Sequence, residues 1–364
     1  MSTPSDRRAT GRPRRALRRT RSLAALGLAG ALVAACGSDD GKGSADAAGG
    51  SGELQEVTFL NILPLETLSF APELVADTCG YFADHGLKVK FETTQGSAQA
   101  IQTIIADSAL VTRVGDIETI LAAGGKDAPI VDIGSATKLN TIRFVSSAKD
   151  PIESAQDLKG RTMGIPSQGG SSEITLNLVE NSVGIKPADV PTQVVGVAPG
   201  VFDLVQSGRV GGYIVSTDTA LALQAQQPDA RVWDPSDAIK SGGQLYLTGK
   251  RQLADKKKAD QLKRYMAAVH DSTQSIIDDE ANGFTKTLDC IAKKYDVPTA
   301  KQPDVAKGTL SFYSKAWQAD GADELLRTDP KRWQAVYDEM VAAGMIKDGL
   351  DPSKWTTDDV APGK

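Results

Sequence analysis

Histidine is almost missing from this chain: there are two in 364 residues, beside three cysteines and 5% aromatics. His85 and His270 cannot furnish a Cys/His set with metal-ligand spacing, so no metal site is expected. The chain also lacks a nucleophile elbow, a zinc-protease motif, a Walker lysine and the G-x-G-x-x-G spacing. With so few acid–base groups, a role without catalysis and without a cofactor is the expectation. The scarcity of aromatics disfavours a large flat ligand gripped between rings, although Trp233 offers one wall for a ring. No apolar run approaches the roughly 20 residues that span a bilayer; the run at 23–35 has 13.

That short run has a strongly basic approach. The first 35 residues carry eight arginines, one Asp and no Lys. A basic start, a short apolar stretch and small residues mark a secretory signal. The cysteine after Val33-Ala34-Ala35 makes it resemble a bacterial lipoprotein signal, which implies cleavage after Ala35 and lipidation of Cys36. Arg18-Arg19 leaves the general secretory and twin-arginine routes both open. Residues 37–52, "GSDDGKGSADAAGGSG", cannot bury enough surface to fold, so 36–53 reads as a lipidated tether. The expected location is the extracytoplasmic face of the bacterial cell membrane. Removing a +7 leader from a chain of −5 leaves about −12, which argues against nucleic acid as a partner. In that oxidising compartment Cys79 and Cys290 are a candidate disulfide, or else two buried thiols.

The body, 54–364, is long enough for two lobes. Strand-like and helix-like patterns alternate from 56 to 147, and the rhythm restarts after "DPIESAQDLKG" at 150–160. Such βαβα alternation predicts an α/β fold with helices on both faces of each sheet. We place lobe one at 54–147, lobe two at 148–240, and a return to lobe one at 241–364. The return begins with a strand, "QLYLTGK" (244–250), and continues as helices. Trp317, Trp333 and Trp355 are expected to pack among those helices. Segments near 147–150 and 238–243 are the expected hinges.

"GRTMGIPSQGGSSEITLNLVE" (160–180) reads as strand, glycine-serine turn and helix. Such a turn presents N–H groups and hydroxyls at a helix N-terminus. Ser167, Gly169, Gly170, Ser171 and Ser172 are candidate ligand contacts there, although serines also cap helices without any ligand. Glu173, one position on, suits a cationic or neutral ligand better than an anion. Arg113, after an apolar strand with Thr112 beside it, is either an anion clamp or the partner of Asp116 or Glu118. Strand ends add Glu66 and Thr67, Thr94 and Gln95, and Ser216 and Thr217, with Asp218 as the expected helix cap.

Three blocks, "ELVADTCGYFADHGLKVKFE", "IESAQDLKGRTMGIPSQGGSSE" and "LVQSGRVGGYIVS", resemble the solute-binding proteins of ABC importers. The branch is the one serving aliphatic sulfonates, taurine, nitrate and thiamine pyrimidine precursors. The resemblance implies a two-lobed periplasmic binding protein of type II, with mixed sheets and the C-terminal helices packed on lobe one. It implies a monomer that delivers a small solute to a membrane permease and its ATPase. Gly211-Gly212 departs from the Asp common in the third block. A lipid-anchored sensor or adhesion module would share the body, and so would a pyrimidine synthase, whose His and Cys groups have no counterpart here.

Overall fold

A computed structural model describes residues 53–362 apart from 63, 167, 169, 197 and 198. The leader, Cys36, Ser167 and Gly169 therefore lie outside the described residues. The chain begins with β1 (Gln55–Asn61), α1 (Ala71–Thr78), α2 (Tyr81–Asp84), β2 (Leu87–Thr93), α3 (Ser97–Ile105), β3 (Val111–Gly115), α4 (Asp116–Ala123) and β4 (Ile130–Thr137). It continues with β5 (Ile142–Ser147), β6 (Met163–Ile165), α5 (Ser171–Ser182), β7 (Thr192–Val194), α6 (Phe202–Gln206), β8 (Gly212–Ser216), α7 (Thr217–Gln226) and β9 (Ala230–Trp233). It closes with β10 (Gln244–Gly249), α8 (Lys250–Ala254), α9 (Lys256–Asp278), α10 (Thr285–Ala292), α11 (Pro303–Trp317) and α12 (Pro330–Ala342).

These strands form two five-stranded sheets, ordered β2-β1-β3-β10-β4 and β7-β6-β8-β5-β9. In the first, β1 runs parallel to β2 and β3, while β10 runs antiparallel to β3 and β4. The second repeats the scheme, with β6 parallel to β7 and β8, and β5 antiparallel to β8 and β9. Residue type tracks position in the sheet. All eight residues of β4 are buried, although Ile130 to Thr137 mixes apolar and small polar side chains. The edge strand β2 alternates instead, with Lys88 and Lys90 in solvent, where charge discourages pairing with another chain.

One assignment changes. Strand 142–147 belongs to the second sheet, because Ile142 pairs with Ser216 and Phe144 with both Ile214 and Trp233. The first crossing between lobes is therefore 138–141, not 147–150. Hydrophobic alternation gives a strand but not its sheet, and only the partners settle it.

The scarce aromatics are concentrated under the first sheet. Tyr265 of α9 stacks on Phe59 (5.9 Å, 15°) and on Phe82 (5.3 Å, 23°), so the longest helix is seated by ring contacts. Asp255 caps that helix, accepting the Lys257 and Lys258 N–H groups at 2.9 and 3.0 Å. Trp317, Trp333 and Trp355 are all buried, and the Trp333 indole donates to the Pro352 carbonyl at 2.8 Å. Cys79, at the end of α1, is bonded to Cys290 of α10, with Cα atoms 5.7 Å apart.

On α5, Glu180 is 1% exposed, and its Oε2 has no hydrogen-bond partner among the described residues. Burial pushes its carboxyl from 4.5 up to about 7. Between those values the unfolded chain ionises while the folded chain keeps its proton. The associated stability is thus fully present below pH 4.5 and is lost as pH rises through about 7. Glu180→Gln is expected to remove this slope and to gain about 2–3 kcal/mol near pH 8. Urea midpoints at two pH values read it directly; parallel pH profiles for the two proteins would refute it.

Candidate functional site

The carboxyl ends of β1, β2 and β3 face those of β6 and β8, and side chains meet between them. Ser171, the first residue of α5, donates its hydroxyl to the Glu118 carboxylate on α4. Ser97, the first residue of α3, reaches the same Glu118 oxygen at 3.4 Å. Two helix N-termini from different lobes therefore share one carboxylate, as the N–H groups and dipole at such termini favour.

The second meeting point is Asp218, in the first turn of α7, 8% exposed. Burial raises its pKa; the hydroxyls of Tyr313 and Thr67, the Arg113 charge and the Ser69 N–H pull the other way. All four opposing groups belong to the first lobe, so Asp218 reaches across. Ser216 is the residue that caps α7, accepting the Thr219 N–H at 3.4 Å. The expected roles are thus exchanged: Ser216 is the exposed cap, and Asp218 points into the cleft. Ser and Asp cap equally well, and two candidates two positions apart cannot be ranked by sequence. Thr217 is buried and tied by N–H and hydroxyl to the Thr141 carbonyl, at 2.9 and 3.1 Å.

Arg113 is 1% exposed and fully surrounded. Its Nε donates to Gln244 at 2.8 Å and its Nη1 to the Ser69 carbonyl at 2.6 Å. The guanidinium lies 4.9 Å from the Phe70 ring centroid. Its ion partner is Glu73 at 3.3 Å, not Asp116 or Glu118. Glu73 is itself completely buried on α1 and accepts the Tyr246 hydroxyl at 2.7 Å. Thr112, next in the strand, points to the opposite face and donates to the Leu60 carbonyl at 2.9 Å, which makes it a strand clip.

The other candidates divide. Thr67 caps the short turn at 68–70 and pairs with the Ser69 hydroxyl at 2.6 Å, beside Asp218. Thr94 is bound to the carbonyls of Asn61 and Gly96, and the exposed Gln95 donates its N–H to Gln99. Glu66 is exposed and acts on Tyr295, on the flank of the disulfide. Gly170 caps α5 without a side chain, and Ser172 follows in its first turn. Trp233 is half-buried on β9 and meets Phe144 edge-on at 5.1 Å, so its ring is already used in packing. His85 and His270 flank Asp271 at 2.9 and 3.4 Å on the outer side of α9. Among the described residues no group of three His, Cys, Asp or Glu is arranged to hold a metal ion.

Sequence reasoning passed over Glu73, Tyr313 and Arg143. Glu73 had a signal, being a carboxylate on the apolar stripe of "APELVADT". Arg143 sits where the chain enters the second lobe, paired with Asp234 at 2.8 Å and lying 4.6 Å from the Phe312 ring centroid.

The two crossings are bound to one another and to the first lobe. Asn140 donates to the Ser241 carbonyl at 2.8 Å, and the Thr141 N–H to the Gly242 carbonyl at 3.2 Å. Four successive N–H groups of the second crossing meet two carboxylates. Glu339 takes those of Lys240 and Ser241, and Asp116 those of Gly242 and Gly243. Burial lifts Asp116 from 3.8 to about 7 against these hydrogen bonds. Gly242 is held at φ +101, and a Cβ there would run into the Asn140 amide. Gly242→Ala is expected to cost about 1–3 kcal/mol through this left-handed backbone and clash. An unchanged thermal midpoint would show that the crossing yields without strain.

Two lobes of this topology, joined by two crossings and meeting at helix N-termini, define the periplasmic binding protein fold of type II. The chain belongs to the NMT1/THI5-like family, whose sequence model matches residues 67–282. It is 24% identical to riboflavin-binding protein RibY of Chloroflexus aurantiacus over 318 residues, 85% of this chain and 87% of that protein. The periplasmic nitrate-binding protein NrtA of Synechocystis PCC 6803 superposes with a TM-score of 0.63 at 13% identity, covering 85% of this chain and 87% of that one. The alkanesulfonate-binding protein SsuA of Xanthomonas axonopodis pv. citri, bound to MOPS, gives 0.60 at 15% identity, covering 84% and 99%.

Proposed function

We propose that this chain is the extracytoplasmic solute-binding component of an ABC importer. It captures a small polar organic solute between its lobes and delivers it to a permease driven by an ATPase. A lipid on Cys36 and the tether at 36–53 hold it, as a monomer, to the outer face of the cell membrane. The observation that carries the reading is the pair of interlobe contacts, Ser171 on Glu118 and Asp218 against Thr67 and Tyr313. Both lie at strand carboxyl ends, where ligands bind in open α/β sheets. The relatives agree in kind, being named for binding riboflavin, nitrate and alkanesulfonate.

In this reading solute shifts a population of open molecules toward the closed one, and the crossings at 138–141 and 238–243 take up the rotation. Thr67, Gly170, Ser171, Ser172, Thr217 and Arg113 form the proposed contact set. The chain binds its solute without transforming it. A thermal-shift screen tests this: a ligand at a hundred times its Kd adds about 2.7 kcal/mol of stability. X-ray scattering on any hit should show the molecule contract. Stabilisation without contraction would sink the closure model, and silence across sulfonates, nitrate, carboxylates and heterocycles would sink solute capture.

A further inference from the structure

Resting on the solute-binding reading, the hydrogen-bonding groups of the cleft narrow the class of solute. The positive charge there is already matched, since Arg113 is paired with Glu73 and its Nε and Nη1 are both engaged. Its Nη2 is buried and has no hydrogen-bond partner among the described residues. From the other lobe, Asp218 brings a carboxylate whose Oδ1 is likewise buried and without a partner among them. Both groups meet Ser69, whose carbonyl accepts from Arg113 Nη1 at 2.6 Å and whose N–H faces Asp218. An unpartnered buried polar atom is costly, so one donor and one acceptor at a lobe boundary call for a complementary molecule.

The positions where an oxyanion would be expected are held by the protein itself. The Glu118 carboxylate spans the first residues of α3 and α5 through Ser97 and Ser171. Asp116 occupies the first position of α4 and takes the N–H groups of Ile117, Gly242 and Gly243. A sulfonate or nitrate entering here would meet Glu118 and Asp218 with no unmatched cation to receive it.

We propose that the cleft selects a neutral solute carrying a hydrogen-bond acceptor next to an N–H donor, the edge of a lactam, ureide or cyclic imide. The acceptor lies on Arg113 Nη2 and the N–H on Asp218 Oδ1, and oxyanions are rejected. A site built to hydrogen-bond a group discriminates strongly against an analogue that lacks it.

Calorimetry on the full chain tests this with uracil, hydantoin, 2-pyrrolidone and riboflavin, each beside the counterpart methylated at every ring N–H, and with methanesulfonate and nitrate. At least one N–H compound is expected to bind, with methylation weakening it about a hundredfold or more. Asp218→Ala, which removes the acceptor, should bring the methylated and unmethylated compounds to within a few-fold of each other. If that variant does not fold, the methylation pair in the natural protein decides alone. Equal binding of both members of the pair overturns the assignment of Asp218. Binding of methanesulfonate or nitrate, with the N–H compounds silent, overturns the solute class but leaves solute capture standing. Silence of every compound overturns the solute class, and solute capture falls with it only if the wider thermal-shift screen is silent too.

Discussion

Replacing Cys79 and Cys290 together by serine is expected to lower the unfolding free energy by about 5 kcal/mol on the chain-entropy account. The bridge closes a loop with a sequence separation of 211, so in the unfolded chain it restrains most of the body. It joins α1 to α10, and both elements sit in the core that also holds Tyr265 and Phe59. The native contacts of that core remain after substitution, which makes the unfolded ensemble the main site of the effect. Urea titration of the oxidised protein and of the double variant separates the terms: the midpoint should fall, and m should rise as the freed chain exposes more surface. Midpoints equal within error would show that the bridge contributes nothing through the loop it closes.

Glu73→Ala is expected to cost about 3–5 kcal/mol, because it strands the Arg113 guanidinium in the core without its counter-ion. Burial raises the pKa of the Glu73 carboxyl, and the Arg113 charge and the Tyr246 hydroxyl oppose that rise. Removal of either charge leaves the desolvation of the other unmatched. Replacing both by apolar residues of similar volume, Glu73→Leu with Arg113→Met, should recover most of the loss. The natural protein, Glu73→Leu, Arg113→Met and the double variant form a double-mutant cycle in chemical denaturation. Additive losses would show that the pair is not coupled, and that Ser69 and Gln244 alone hold Arg113.

The lobes, the return strand and the packing of three tryptophans were legible, since period and residue type carry them. Three things were not. Strand 142–147 has the same pattern whichever sheet it joins, and its partners Ile214 and Trp233 are some seventy to ninety positions away. Ser216 and Asp218 are equivalent as caps, and only the docking of α7 against Thr67 and Tyr313 separates them. Arg113 was legible as a cation out of place, but its partner Glu73 lies forty positions earlier on a helix of another layer. Local pattern gives faces and ends, whereas ion partners are set by how layers stack.

The order of β-strands along the chain bears on how the protein is made. The second sheet is drawn from one uninterrupted stretch, 142–233, and can assemble as soon as that stretch emerges. The first sheet cannot. Its β3 and β4 are joined through β10, which is synthesised only after the whole of the other lobe. Until residue 249 has appeared, two largely buried strands present open edges, a template for wrong pairing. A polypeptide of this topology has to be kept apart from its neighbours until β10 arrives, and a ribosome stalled before Gln244 would hold a chain with one finished lobe and one exposed half-sheet.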